Sequence, residues 1–450
     1  MAACGKDFTL AVDRDGVVRG TGCNFDGQLG WPYPHAMLST DERARLPATR
    51  AMLTAGVPIV MQEAAPRRAV FVAAGESSSC VIQCDGSILA SHGGCWPRAL
   101  MTRTVFASPV VSVACGKGHM VAVTLLGRVH TCGAVSFGQC GRGEEHAASA
   151  ARPGDEAPRH FVLVEPDDDA FNATTFVFAA AGDRNSSCVG SDGTVWTFGG
   201  GNGGVNGLGD NRMRHWPTRI PADRFENKRV VLTSVGSAHA AAVTADGTLF
   251  TWGFNSCGQL GVGSFDSSFA PRRLVALQDH AVRTVACGSN HTLAATEAGD
   301  CWLWGWANDG RLPGRTMRRA PHRLRPMAAG ATVVAVAAGH AHCAALTGDG
   351  RLFTWGLGTG VGAGYAQHNL SAVERPYHVG FPAGIGRWHD LSRQHMEAFA
   401  MRAHGRLGDR CAELSNDVIW RILQECVWRP EGAGPRLEGV RRLMGAGDRA

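Results

Sequence analysis

Three sets of residues in this sequence have types and spacing that could do chemistry. Gly258-Gln259-Leu260-Gly261 is a glycine-rich run of the kind whose backbone N–H groups can cradle a phosphate. His119, His239, His291 and His342 offer imidazoles, the commonest metal ligands. Arg311, Arg315, Arg318, Arg319, Arg323 and Arg325 crowd into residues 311–325, a pattern that can grip phosphates or carboxylates. What each set can do depends on the elements that hold it.

Those elements repeat. Seven anchor glycines, Gly5, Gly75, Gly116, Gly182, Gly236, Gly288 and Gly339, are each followed eleven residues later by another glycine. Asp precedes that second glycine in five units, as in "ADGTLF". A third glycine follows six residues further on in every unit but the second, where it is one residue late at Gly93. Each unit then has a Pro: Pro47, Pro97, Pro158, Pro217, Pro271, Pro321 and Pro376. A period near 50 residues points to a propeller or a solenoid. Asp-Gly between alternating apolar runs is a hairpin signal, because the turn needs positive φ. Segments such as "SVACGKGHMVAVTLLGRVHTCG" spell strand, turn, strand, turn, strand. The Pro segment, as in "APRRLVAL", is expected to add a short fourth strand with Pro at its start. Four antiparallel strands, seven times over, predict an all-β, seven-bladed propeller.

Within that frame the chemistry recedes. A phosphate loop needs Gly-x-x-x-x-Gly-Lys-Ser/Thr opening a helix, whereas "GQLGVGS" has no Lys and leads to another strand. The His slot, three residues past the anchor, holds Phe8, Ser78 and Asn185 in other units, so it is a packing and turn position. Cys4, Cys115 and Cys287 precede the anchor where other units have Ala or Val, which marks a small buried slot. Trp252, Trp304 and Trp355 share one repeat position and should fill space between blades. Trp302, Trp304 and Trp306 alternate and should share a core-facing side. No catalytic, cofactor-binding or metal-ligating set emerges.

Composition narrows the class. The 450 residues carry a formal net charge of +5, too mild to imply nucleic acid. Only Lys6, Lys117 and Lys228 are lysines, so nearly all basic residues are Arg. The N-terminal segment lacks the basic and apolar regions of a secretory signal, and no apolar stretch reaches membrane-spanning length. Fifteen Cys without CxxC pairs fit a reducing, intracellular compartment, cytoplasmic or nuclear.

The Gly-x-x-His anchor, the Asp-Gly turn, the Trp-Gly end and the Gly-Gln-Leu-Gly loop together resemble the regulator of chromosome condensation repeat family, over residues 1 to about 385. The resemblance implies a seven-bladed propeller. It also implies functions as different as nucleotide exchange on a small nuclear GTPase, nucleosome docking, ubiquitin-ligase domains and ultraviolet-B reception. That photoreceptor has Trp inside its Gly-x-x-His motif; the corresponding slots here hold Lys117-Gly118, Ser237-Ala238, Ser289-Asn290 and His340-Ala341, which argues against light sensing. In the family the ring closes by pairing strands from both termini. The opening strand here is only "MAAC", and the sequence leaves the closure open.

From residue 386 the register stops. "DLSRQHMEAFAMRAHG" and "AELSNDVIWRILQECVW" have helical apolar periodicity, and "LSNDVIWRIL" is similar to the opening of an F-box, with Ser415 where Pro is usual. The expected organisation is a propeller over 1–385 and a helical, F-box-like tail over 386–450. The expected function is a non-enzymatic protein-interaction scaffold, monomeric and without cofactor. A small GTPase, a chromatin protein or a ubiquitin-ligase adaptor are the partner classes, with nucleic acid weaker. The corresponding alternatives are a guanine-nucleotide exchange factor and a ubiquitin-ligase substrate receptor. The Arg run of the sixth unit is expected to form the contact surface, as a variable loop. Arg272 and Arg273 lie one unit earlier, and the acidic "EPDDD" (165–169) with Glu144-Glu145 should give the rim an opposite pole.

Overall fold

The computed structural model describes residues 1–13, 16–22, 59–60, 68–91, 102–144, 160–306, 317–324, 331–356 and 373–378. Seven four-stranded antiparallel sheets are built in chain order, each from one contiguous segment. They are the seven blades, and the first strand of each lines the centre, against the first strands of its neighbours. The tail, with its F-box-like stretch, lies outside the described residues, as do Pro47, Pro97 and Pro158.

The three glycine classes of the repeat have two different causes. The hairpin and strand-end glycines adopt positive φ, +79° at Gly247 and +106° at Gly253, where an L side chain would be strained. The anchor glycines do not. They are glycine because backbone passes too close. A Cβ on Gly288 would lie 2.6 Å from the Gly339 carbonyl oxygen and 2.2 Å from Cε1 of His291. The same clash runs round the ring, from Gly5 to Gly75, Gly116, Gly182, Gly236, Gly288, Gly339 and back to Gly5. Hydrogen bonds run along this belt. Lys6 N–H donates to Gly75 O at 3.1 Å, Lys117 N–H to Gly182 O at 3.1 Å, and His340 N–H to Gly5 O at 3.3 Å.

That last bond answers the closure question. The ring closes by packing blade 7 directly on blade 1, with no blade shared between distant segments. The short strand Ala2–Cys4 suffices. Phe8 and Leu10 share one buried cluster with Val334, Ala344 and Leu352. Nε2 of His342 lies 3.1 Å from Oγ1 of Thr9, stapling the seam. Two of the three other histidines at this repeat position do the same: His119 reaches Ser186 Oγ at 3.0 Å and His239 reaches Thr292 Oγ1 at 2.9 Å, each in the next blade. Burial lowers the pKa of both His119 and His239 to about 4, so they stand neutral in the seams.

The Gly-Gln-Leu-Gly loop is the other staple. The Gln259 carbonyl accepts from Thr292 Oγ1 at 2.7 Å and from Trp304 Nε1 at 2.8 Å, both in blade 6. Trp252 donates likewise to Val205 O of blade 4, at 2.8 Å. Trp252, Trp304 and Trp355 are fully buried in the seams, as their repeat position predicts. Trp302 is only half-buried and stacks on His280. Cys4, Cys115 and Cys287 are buried as expected; burial pushes the Cys4 and Cys287 thiols up to about 12.

The Pro segment departs from expectation. In blade 5 the fourth strand is Ser268–Arg273, so Pro271 sits inside it rather than at its start. "VAL" (275–277) is a 3-10 turn beyond. Pro is tolerated there because the strand is outermost and its pairing slips between Thr251 and Gly253, so no ladder donor is missed.

Candidate interaction surface

The hairpins divide the disc into two faces. The Asp-Gly turns lie on one, the turn face. The anchor glycines and the loops between third and fourth strands lie on the other, the loop face.

On the turn face, arginines meet carboxylates. Arg103 pairs with Asp85 at 2.7 Å, Arg323 with Asp300 at 2.5 Å, and Arg351 with Asp349 at 2.5 Å. Hydrogen bonding by Arg351 draws the Asp349 carboxyl down to about 2, against the opposing effect of burial. Asp246 is likewise held well below the usual carboxylate range by the Thr244 hydroxyl. The acidic "EPDDD" stretch is partly absorbed too. Asp168 Oδ1 accepts from Phe171 N–H at 3.0 Å and caps the short helix Asp169–Ala173.

The loop face differs. In blades 3, 4 and 5 the loops butt against the start of the next blade's fourth strand. A Cβ on Gly138 would meet Arg214 O at 2.6 Å, one on Gly204 would meet Phe269, and one on Gly258 would meet Arg319 Cα at 2.7 Å. This contact pushes the residues at the head of each strand outward. Trp216 lies across Gly143, Phe254 against Gly203, and Phe269 against Gly204. Phe265 lies beneath the Arg319 guanidinium, 5.8 Å from carbon to ring centroid, and Arg184 covers Phe137 at 4.0 Å. Trp216, Phe254, Phe265 and Phe269 are 40–46% exposed, and Met213 and Met317 flank them. Among the described residues these are all the exposed Phe and Trp side chains, and all lie at three successive seams of blades 3 to 6.

At the mouth of the central channel, Glu76 bridges Lys6 at 2.8 Å and Lys117 at 3.0 Å, tying blades 1, 2 and 3. Burial works against the charge, but the two ammonium hydrogen bonds prevail and lower the Glu76 pKa. Two of the three lysines in the chain are thus held in a local lock.

The Arg run is divided. Arg311, Arg315 and Arg325 lie outside the described residues. Arg318–Arg323 is not a loop but the fourth strand of blade 6. It runs from one face towards the other, and a strand of this length spans about 17 Å. Arg318 pairs in register with Gly305 at the loop-face end, and Arg323 with Trp302 towards the turn face. Arg272 and Arg273 lie at the turn-face end of the neighbouring strand, Arg273 being 3.5 Å from Glu226. So Arg318 and Arg319 join the aromatic band, and Arg323 does not. The exposed aromatics themselves were not singled out in the sequence. Their signal is apolar residues outside the repeat register: Phe269 stands two before the Pro, where other units have His215, Arg319 and Glu374.

No helix among the described residues is long and apolar enough to cross a membrane. Geometry of this kind, a rigid ring presenting an aromatic and Arg-rich edge, defines an interaction propeller. Residues 92–395, more than half of the chain, match the RCC1-like domain, and residues 2–28 match the regulator of chromosome condensation (RCC1) repeat. The chain belongs to the RCC1-like domain family. It is similar to the ultraviolet-B receptor UVR8 of Arabidopsis thaliana, 29% identical across 77% of this chain and 80% of the receptor. It is 28% identical to the human E3 ubiquitin-protein ligase HERC2 across 82% of this chain but 7% of the ligase, so ligase activity does not transfer with the match. Among solved structures, human WBSCR16 superposes with a TM-score of 0.56 at 23% identity, covering 85% of this chain and 82% of that one. Prp20p of Saccharomyces cerevisiae, studied for its binding to Gsp1p and histones, superposes with a TM-score of 0.53 at 20% identity, covering 85% and 77%. At these identities the two structures support the fold.

Proposed function

We propose that the chain is a non-enzymatic protein-interaction scaffold that receives its partner on the loop face of blades 4 to 6. One observation carries this: the exposed Phe and Trp side chains of the described residues gather on that edge, whereas on the turn face Arg103 and Arg323 are taken up by ion pairs and the exposed large apolar side chains are the separate aliphatics Val105, Leu126 and Val275. Aromatic rings and Arg are the side chains that anchor protein interfaces. The test is affinity capture with the parent chain, with Phe265→Ser/Phe269→Ser, and with Arg323→Glu as a turn-face control. The double variant should lose partners that the control keeps. Equal recovery by all three would refute the assignment.

Two finer readings extend it. A propeller acting as an exchange factor needs no catalytic side chains of its own; it distorts the nucleotide site of a bound GTPase. Support comes from the likeness to Prp20p, with its binding to Gsp1p. Accelerated release of labelled GDP from a small GTPase would test this. The other reading divides the chain into a target-binding propeller over 1–385 and an adaptor-binding, F-box-like tail over 386–450. A Skp-type adaptor should then be retained by the full chain and lost on deleting 386–450.

A further inference from the structure

We infer that the partner presents an acidic segment with apolar anchors, laid across the seams of blades 4 to 6. This rests on the scaffold reading and names the chemistry of its partner. On this edge Arg214 is paired with Asp210 at 2.8 Å, but Arg319 lies over Phe265 and Arg184 over Phe137, neither with a carboxylate partner among the described residues. On the other face Arg103, Arg323 and Arg351 all lie against carboxylates, Arg351 over the Phe353 ring as well. A guanidinium stacked on a ring keeps its in-plane N–H groups pointing outward, where a carboxylate can take two of them at once. A ring beneath the guanidinium restricts its motion and lowers the entropy lost on capture. Between these cations stand Trp216, Phe254 and Phe269, about two-fifths exposed and resting on the glycines of the preceding blade. The edge therefore sets a group of exposed rings between two cations along blades 4 to 6. Its complement is a strip that combines carboxylates with apolar side chains.

Other occupants fit less well. A phosphate backbone carries a charge at every nucleotide and would meet Asp183, Asp210 and Asp266 on this edge in any register, whereas a peptide can set apolar side chains opposite them. A second copy using the same edge would set Arg319 and Arg184 against their own kind.

The experiment uses the full chain and short fluorescent peptides. One alternates Glu and Phe; the others replace Glu by Lys, or Phe by Ser. A single-stranded and a duplex DNA oligonucleotide serve as competitors. The Glu/Phe peptide should bind, weaken as salt rises, and lose at least about tenfold in affinity to Arg319→Glu. Phe265→Ser should weaken it similarly, and Arg323→Glu should leave it unchanged. Both substituted peptides should bind poorly, and DNA should not compete. Arg319 and Phe265 are exposed, so thermal melts of the variants should match the parent. The inference is overturned if the Lys peptide binds as well as the Glu peptide, if DNA displaces it, if Arg319→Glu binds it unchanged, or if the Glu/Phe peptide fails to bind. Partner capture that survives Arg319→Glu but not Phe265→Ser/Phe269→Ser would sink the acidic chemistry and leave the scaffold standing. Capture that survives both would sink the scaffold reading as well.

Discussion

The two faces of the disc commit their arginines to different degrees. On the turn face, Arg103, Arg323 and Arg351 are matched with Asp85, Asp300 and Asp349, and the Asp-Gly hairpins close on themselves. On the loop face Arg214 is paired with Asp210, but Arg184 and Arg319 lie over aromatic rings that are themselves partly exposed. The first arrangement satisfies the charges and leaves Val105, Leu126 and Val275, one each on blades 2, 3 and 5, as the exposed large apolar side chains of that face. The second leaves both donors and apolar surface on offer. What separates them is the seam: the loop-face staples press each loop on the next blade and push its strand head outward.

On that division, changes to the seam should cost stability and changes to the edge should cost binding. The largest expected effect is at the glycine belt. Gly288→Val must displace the Gly339 carbonyl or the His291 ring, and should cost on the order of 4 kcal/mol. Urea unfolding measures this, and an unchanged midpoint would break the belt. Next come the seam histidines. The folded pKa values of His119 and His239, about 4, lie below the unfolded value near 6.5. Stability from these groups is therefore complete above pH ~6.5 and is lost as pH falls towards about 4, by at most about 3 kcal/mol each. A urea midpoint that holds flat from pH 7 down to 4 would contradict neutral seam histidines. His239→Gln should flatten the profile while lowering stability at pH 7.

A smaller effect belongs to the turn face. Asp246 receives the Thr244 hydroxyl and the Thr248 N–H, so Asp246→Ala should cost about 1 kcal/mol and leave binding alone. The smallest is at the edge. Phe265→Ser and Arg319→Glu should each move stability by no more than about 0.5 kcal/mol. A larger loss in the melting midpoint would show that the aromatic band is structure and not surface.

The repeat register was legible because it is backbone chemistry written in glycine. Gly247 and its equivalents announce positive φ, and Gly288 and its equivalents announce close approach, without any contact being known. Trp304 and His239 were legible as packing because they recur. The edge was harder. Phe254, Phe265 and Phe269 obey no period, and only the seam geometry shows that they face outward and share a face. The Arg run misled for the same reason. Adjacency in sequence suggested one patch, but a strand carries Arg319 and Arg323 to different faces of the disc. Pro271 was misplaced because the slip in pairing beside it has no sequence signature.

The most direct measurement is covalent footprinting of the full chain with and without its captured partner. The account predicts protection of Trp216, Phe254, Phe265 and Phe269, with the exposed turn-face residues Val105, Leu126 and Val275 equally labelled in both states. Protection confined to Val105, Leu126 and Val275, with the four rings unchanged, would contradict it.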